Sequence, residues 1–194
     1  MSISVISFTV WLHHFFTMGS SVPVNIAFGI ATMIIGIPTG VKVYDWMATM
    51  WRGRIRVTTP IVYLVGFFML FVIGGLSGII LANPSIDYQV HNSTFLVAHF
   101  HNVIIPGVLF GMLAGIHYWF PKAFGFRLSE TWGRLTAYLF IGGFLFTFMP
   151  LYVLGLMGMP RRSPTFQNPE FLPWMYIAAF GGVLMLVALA SLVW

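Results

Sequence analysis

Residues 60–82, PIVYLVGFFMLFVIGGLSGIILA, hold no charged side chain. About 20 apolar residues in helical form cross a hydrocarbon core of about 30 Å, so this stretch reads as a membrane helix. Outward from it the pattern repeats. Apolar stretches at 1–18, 25–51, 93–120, 133–157 and 172–194 are separated by polar or Gly/Pro punctuation. Over the whole chain of 194 residues, 59% are apolar and 7% charged, against about a quarter charged in soluble domains. So few charges cannot cover a globule of this size. The expected fold is an all-α membrane protein with six transmembrane helices. Pro38, Pro106 and Pro150 fall inside helices, where neighbours in a bundle must satisfy the freed carbonyls. Residues 1–12 lack the basic start and cleavage site of a signal peptide and read as the tail of a spanning helix. The chain stops at Trp194 inside an apolar run with no polar cap, so it is expected to be a fragment of a longer one.

Without cysteine there is no disulfide, thiolate metal site or iron–sulfur cluster. The net charge of +5 comes from dispersed basic residues, which do not form a surface for nucleic acid. They set topology instead. Arg52, Arg54 and Arg56 lie in the second loop, and Lys122, Arg127 and Arg134 in or beside the fourth. The first and third loops have no Lys or Arg, so the even loops and both termini are expected on the cytoplasmic side. Arg161 and Arg162 in the fifth loop break this rule and invite a ligand carrying negative charge.

Six histidines lie in the chain, most in or beside apolar sequence, where an imidazole usually faces the bundle interior. His99 and His101 sit mid-helix, in AHFHN. At about 100° per residue their rings point about 200° apart, so a regular helix cannot bring both to one metal. It can present them to two separate groups, such as two haems, with Phe100 between. His13 and His14 are adjacent and can share a metal only near a helix end or a distortion. No carboxylate is close in sequence, which favours copper over metals preferring oxygen ligands.

Lys42 lies some ten residues from the basic loop, roughly 15 Å along a helix. A charge at that depth is costly unless paired, hydrated or neutralised. Thr39 is three residues earlier, on the same face. A lysine stem reaching for the interface is one reading; the other is a proton path from the cytoplasm through Thr39 and Lys42, with Lys42 able to lose its charge.

Four runs, WLHHFFTMG (11–19), IPTGVKVYDW (37–46), AHFHN (98–102) and GMPRR (158–162), resemble in order and separation the motifs of haem-copper oxidase subunit I. The resemblance covers essentially the whole chain and implies the last six helices of a twelve-helix bundle. It implies that His13 and His14 are two of three ligands of the active-site copper. His99 matches the axial ligand of the high-spin haem, and His101 one of two ligands of the low-spin haem. His91 matches a histidine near the haem propionates at the outer face, which Arg161 and Arg162 neutralise. Thr39 and Lys42 match the lysine proton channel. His117, beside Trp119, matches nothing functional and is expected to be an interfacial structural residue.

The implied cofactors are a low-spin b-type haem, a high-spin o- or a-type haem and one copper ion. The implied activity is quinol oxidation with reduction of oxygen to water, coupled to proton pumping across a bacterial plasma (inner) membrane. Quinol, oxygen, protons, lipid and subunits II, III and IV are the implied partners. Asn92 follows His91 where cytochrome c oxidases typically carry aspartate, part of a magnesium site. With FPKAFGF (120–126) and SETWG (129–133), this resembles the bo-type quinol oxidases. A cytochrome c oxidase subunit I is the alternative, and a proton-coupled transporter or a non-catalytic membrane subunit are more distant ones. The third copper histidine, the cross-linked tyrosine, the second low-spin haem ligand and the quinol-binding residues of the family lie upstream, so the fragment alone is expected to be inactive.

Overall fold

The computed structural model describes residues 2–165 and 168–193; the ends of the first and last expected spans, Met1 and Trp194, lie outside them. Apart from one isolated antiparallel bridge, the regular structure among the described residues is helical. Five helical stretches are long and apolar enough to cross a membrane. They are Val22–Met50, Thr59–Leu81, Thr94–Phe124, Glu130–Leu156 and Pro169–Leu192.

The sixth expected span is the exception. Residues 1–18 form two short pieces, helix α1 (Ser2–Ser7) and a 3₁₀ turn (Trp11–Phe15). Thr9 closes the end of α1 by donating both its amide and its hydroxyl to the Ile6 carbonyl. Gly19 then turns the chain with φ of +91°, a conformation glycine adopts without steric cost. Hydropathy alone suggested a span here, but backbone hydrogen bonding divides the stretch.

Contacts divide the chain into two units. One comprises the residues up to Ile55 together with Gly75–His91. In it, α2 (Val22–Ile34) and α3 (Gly36–Met50) form the first of the membrane-length stretches. Their junction precedes Pro38, which has no amide proton to donate; Thr39 donates its hydroxyl to the Ile35 carbonyl at 2.8 Å. A short α5 (Pro84–Val90) follows, capped by Asn83, whose side chain accepts from the Ser85 amide.

The other unit comprises Arg56–Gly74 and the residues from Asn92 onward. Its core is built on Val62, Tyr63 and Leu70 of α4 (Thr59–Leu81), Phe110, Leu113 of α7 (Gly111–Phe124), Phe140, Phe144 and Phe148 of α8 (Glu130–Leu156), and Ala188 of α9 (Leu172–Val193). Helix α6 (Thr94–Ile104) passes into a π turn at Ile105–Phe110 that contains Pro106, and then into α7. Insertion of π geometry accommodates a proline that breaks the regular ladder.

Helices α8 and α9 meet through small residues, as membrane helices do when apolar burial no longer drives association. A Cβ on Gly181 would strike the Thr147 amide and lie 2.6 Å from the Gly143 carbonyl oxygen. Thr136 and Ser191 add a hydroxyl–hydroxyl bond of 2.8 Å across the pair. Gly181→Ala should therefore force the helices apart and cost about 1–3 kcal/mol. Gly182→Ala, where nothing lies within 4 Å of the added carbon, should be neutral. Thermal denaturation of the detergent-solubilised protein checks the pair, and equal melting of the two variants would contradict the crossing.

Candidate metal centre and histidine helix

The distortion needed by an adjacent histidine pair is present: His13 and His14 lie in the 3₁₀ turn Trp11–Phe15. Their Nε2 atoms are 3.0 Å apart. Two imidazole nitrogens bonded at about 2.0–2.1 Å to one first-row ion, and subtending roughly a right angle there, have this separation. The tautomer of His13 follows from its neighbour. Thr32 donates its hydroxyl proton to the Phe28 carbonyl at 2.6 Å, so its oxygen can only accept from His13 Nδ1, 3.1 Å away. That puts the Nε2 lone pair of His13 toward His14. The pair fits a copper or similar ion as two of its ligands; among the described residues no group of three or more His, Cys, Asp or Glu side chains is placed to hold a metal.

His99 and His101 both lie on the regular helix α6. A carbonyl oxygen can only accept, so the bonds to carbonyls fix both rings as Nδ1–H tautomers with the lone pair on Nε2. The two rings are held differently. His99 donates to the Gly74 carbonyl of α4 at 3.0 Å. His101 donates within its own helix to Val97 at 2.8 Å and stacks on Phe148 of α8, ring centroids 4.4 Å apart. Partners on two different helices agree with the expectation that these rings face different sides. A ligand histidine whose second nitrogen donates to a carbonyl is the arrangement that orients a metal-binding imidazole and raises its basicity. Both residues fit axial haem ligation.

Gly74 admits this geometry by being small. A Cβ there would lie 2.9 Å from the Asn102 carbonyl oxygen. Asn102, fully buried, reinforces the contact by donating its side-chain amide to the Leu70 carbonyl at 3.1 Å. Bonds at residues 70 and 74 thus tie one face of α4 to α6 at the level of the histidines.

The arginine pair is positioned by the end of α8. Gly158 takes φ of +89°, its amide donates to Gly155, and the Met159 amide donates to Leu154. This is a Schellman stop. The chain then pairs with the start of α6: Thr94 donates to the Met159 carbonyl, Arg161 to the Asn92 carbonyl, and Ser93 bridges Pro160. Asn92 adopts φ of +56°, which asparagine tolerates better than most residues. Arg161 is half-buried and Arg162 exposed.

In the other unit, His91 Nδ1 bonds the Asp87 carboxylate at 2.8 Å. Asp87 is buried, and that burial raises its pKa above the usual carboxylate value, although the bond and charge of His91 and the charge of His14 act downward. Lys42 is exposed on α3 with its Nζ 5.5 Å from the Trp46 ring centroid. Thr39 stands three residues before it on the same helix. His117 donates to the Leu113 carbonyl at 2.9 Å and lies beside the Tyr63 ring, in keeping with a structural role. Reading the sequence missed the supporting groups Thr32, Gly74, Asn102 and Phe148. Only Asp87 carried a local signal, four residues before His91 on one helical face.

A family model described as cytochrome C and quinol oxidase polypeptide I matches residues 1–184. The chain belongs to that family. It is 59% identical over 181 residues to the probable cytochrome c oxidase subunit 1 of Bradyrhizobium diazoefficiens, covering 93% of this chain and 27% of that protein. It is 55% identical over 187 residues to the cytochrome bo(3) ubiquinol oxidase subunit 1 of Buchnera aphidicola, covering 96% and 28%. With the ubiquinol oxidase subunit 1 of Acetobacter aceti it shares 50% over 189 residues, covering 97% and 28%. The chain thus spans about a quarter of the length of these relatives. A chain of a haem-copper terminal oxidase dimer, solved by cryo-electron microscopy, superposes with a TM-score of 0.83 at 23% identity, covering 96% of this chain and 38% of that one. That likeness establishes the fold. As a family member with five apolar spans, the chain is a multi-pass membrane protein, and haem and copper are the cofactors its family implies.

Two substitutions test the supporting groups. Thr32→Val keeps the shape but removes the acceptor for His13, and should weaken metal binding at the pair about 10–100-fold. Copper content of the purified full-length protein after dialysis measures this. Gly74→Ala should separate α4 from α6 and lengthen the bond from His99; with a haem iron held by His99, a lower iron–histidine stretching frequency in the resonance Raman spectrum would be the expected result.

Proposed function

We propose that this chain is part of subunit I of a proton-pumping quinol oxidase of a bacterial plasma membrane, and that its histidines hold copper and two haems. The observation that carries the reading is the pair on α6: two imidazoles two residues apart, each with its Nδ1 proton on a carbonyl and its ring against a different helix. When bound, the haems and copper supply electron transfer and the reduction of oxygen to water.

In this reading His13 and His14 hold the copper through Nε2, and Thr32 keeps the proton of His13 on Nδ1. His99 serves the high-spin haem and His101 the low-spin haem; b-type and o- or a-type groups are the proposed identities. Arg161 and Arg162 bind propionate carboxylates, and His91, bonded to Asp87, serves near a haem propionate. Thr39 and Lys42 pass protons, Lys42 holding or releasing one at Nζ. The exposure of Lys42 on a membrane-length helix supports a larger bundle around it, because a lysine against lipid is unfavourable by a few kcal/mol. The loops bearing Arg52, Arg54, Arg56 and Arg127 are proposed to face the cytoplasm, and the Arg161–Arg162 loop the opposite side. Quinol, oxygen, protons and further oxidase subunits are the proposed partners.

Asn92 and the names of several relatives favour quinol as the donor. The second reading, a cytochrome c oxidase, is favoured by the Bradyrhizobium relative. Oxygen uptake by the purified full-length protein with ubiquinol, against reduced cytochrome c, separates the two. For the site itself, His99→Ala in the full-length protein is expected to abolish the carbon-monoxide difference spectrum while leaving the low-spin haem band. An unchanged carbon-monoxide spectrum would remove His99 from the oxygen-binding haem.

A further inference from the structure

The two histidines of α6 are steadied by different devices: a hydrogen bond to another helix for His99, and the stacked ring of Phe148 for His101. His99 has a bond to another helix, through the Gly74 carbonyl. The neighbouring Phe100 ring lies 4.3 Å from that of His101, tilted by 32°. His101 makes its hydrogen bond to Val97 four residues back, a contact that His117 also makes to Leu113. That bond sets the tautomer of His101, but it lies within one helix and leaves the ring plane to be fixed from outside. Phe148 supplies the outside surface. It is 7% exposed, and its ring lies 4.4 Å from that of His101 with only 23° between the planes.

Phe148 is itself well anchored. Phe144, one turn earlier on α8, lies 4.6 Å behind it. Helices α6 and α8 are locked together further along, where a Cβ on Gly155 would strike the Phe95 backbone and Phe95 meets Tyr152 edge-on at 4.9 Å. A rigid helix therefore presents a flat aromatic face parallel to a flat imidazole. The plane of an axial imidazole decides how its π electrons meet the iron orbitals, so a group that fixes this plane tunes the iron without touching it.

We propose that Phe148 is a positioning residue for the low-spin haem: its stacked ring holds the His101 imidazole plane and so sets the electronic character of the iron bound there. This rests on the reading of His101 as that haem's ligand.

The test uses the full-length oxidase with Phe148→Leu, which removes the flat face, and Phe148→Tyr, which keeps it. The readouts are the ferric low-spin electron paramagnetic resonance signal and the midpoint potential of that haem. Phe148→Leu should retain both haems by pyridine haemochrome assay, yet shift and broaden the largest g value and move the low-spin potential. Phe148→Tyr should keep the wild-type signal, and carbon monoxide binding should be unaltered in both. Should Phe148→Leu not assemble, Phe148→Met, which fills the volume without a ring plane, is read in its place. A Leu or Met variant with wild-type g values and potential overturns the proposal, as does a Tyr variant shifted as far as they are. His101→Ala tests the underlying reading separately: survival of the low-spin signal there would show that His101 is not the ligand, whatever Phe148 does.

Discussion

A neutral imidazole inside a hydrocarbon layer has one proton to donate and no water to receive it. The cost of leaving a fully buried donor unmet is on the order of 1–3 kcal/mol, and a half-buried ring away from water gains part of that by finding an acceptor in the protein. Along this chain the acceptors are the Thr32 hydroxyl for His13, the Gly74 carbonyl for His99 and the Val97 carbonyl for His101. Each takes the proton at Nδ1, and each therefore presents Nε2 as the nitrogen with a lone pair. The requirement to satisfy a half-buried donor and the requirement to orient the proposed metal ligands are met by the same bonds.

Close helix approach makes those bonds possible. The Gly74 carbonyl reaches His99 because no side chain separates α4 from Asn102. At the other end of the same unit, Gly155 lets α8 approach Phe95, and Gly158 turns the chain back so that Arg161 meets Asn92. The run GMPRR thus has a mechanical reading as well as an electrostatic one. Its glycine terminates a helix, and the arginines then fall beside the start of the helix that carries the two histidines.

Much of this was legible in the sequence, where it depended on local chemistry. The apolar run at 60–82 matches Thr59–Leu81 closely, because length and hydropathy alone define it. The helix that hydropathy starts at residue 25 begins at Val22, where Pro23 favours a first helical turn. The stretch 1–18 misled because hydropathy reports what a segment can face and says nothing of how its backbone bonds. The demand for a distortion at His13 and His14 came from helix geometry, and a 3₁₀ turn meets it. The supporting groups were illegible for a different reason. Thr32 is 19 residues from His13, and Gly74 is 25 from His99; nothing in either neighbourhood announces a contact set by helix packing. Asp87 was legible in principle, four residues before His91.

The central claim is that one helix, α6, serves two haem irons through His99 and His101, each by Nε2. A cryo-electron microscopy map of the full-length oxidase in its membrane-like disc tests this most directly. The account predicts iron bonded to each Nε2 on separate sides of α6, with the Nδ1 atoms still on the Gly74 and Val97 carbonyls. A map in which either histidine stands clear of haem, or binds iron through Nδ1, would contradict it.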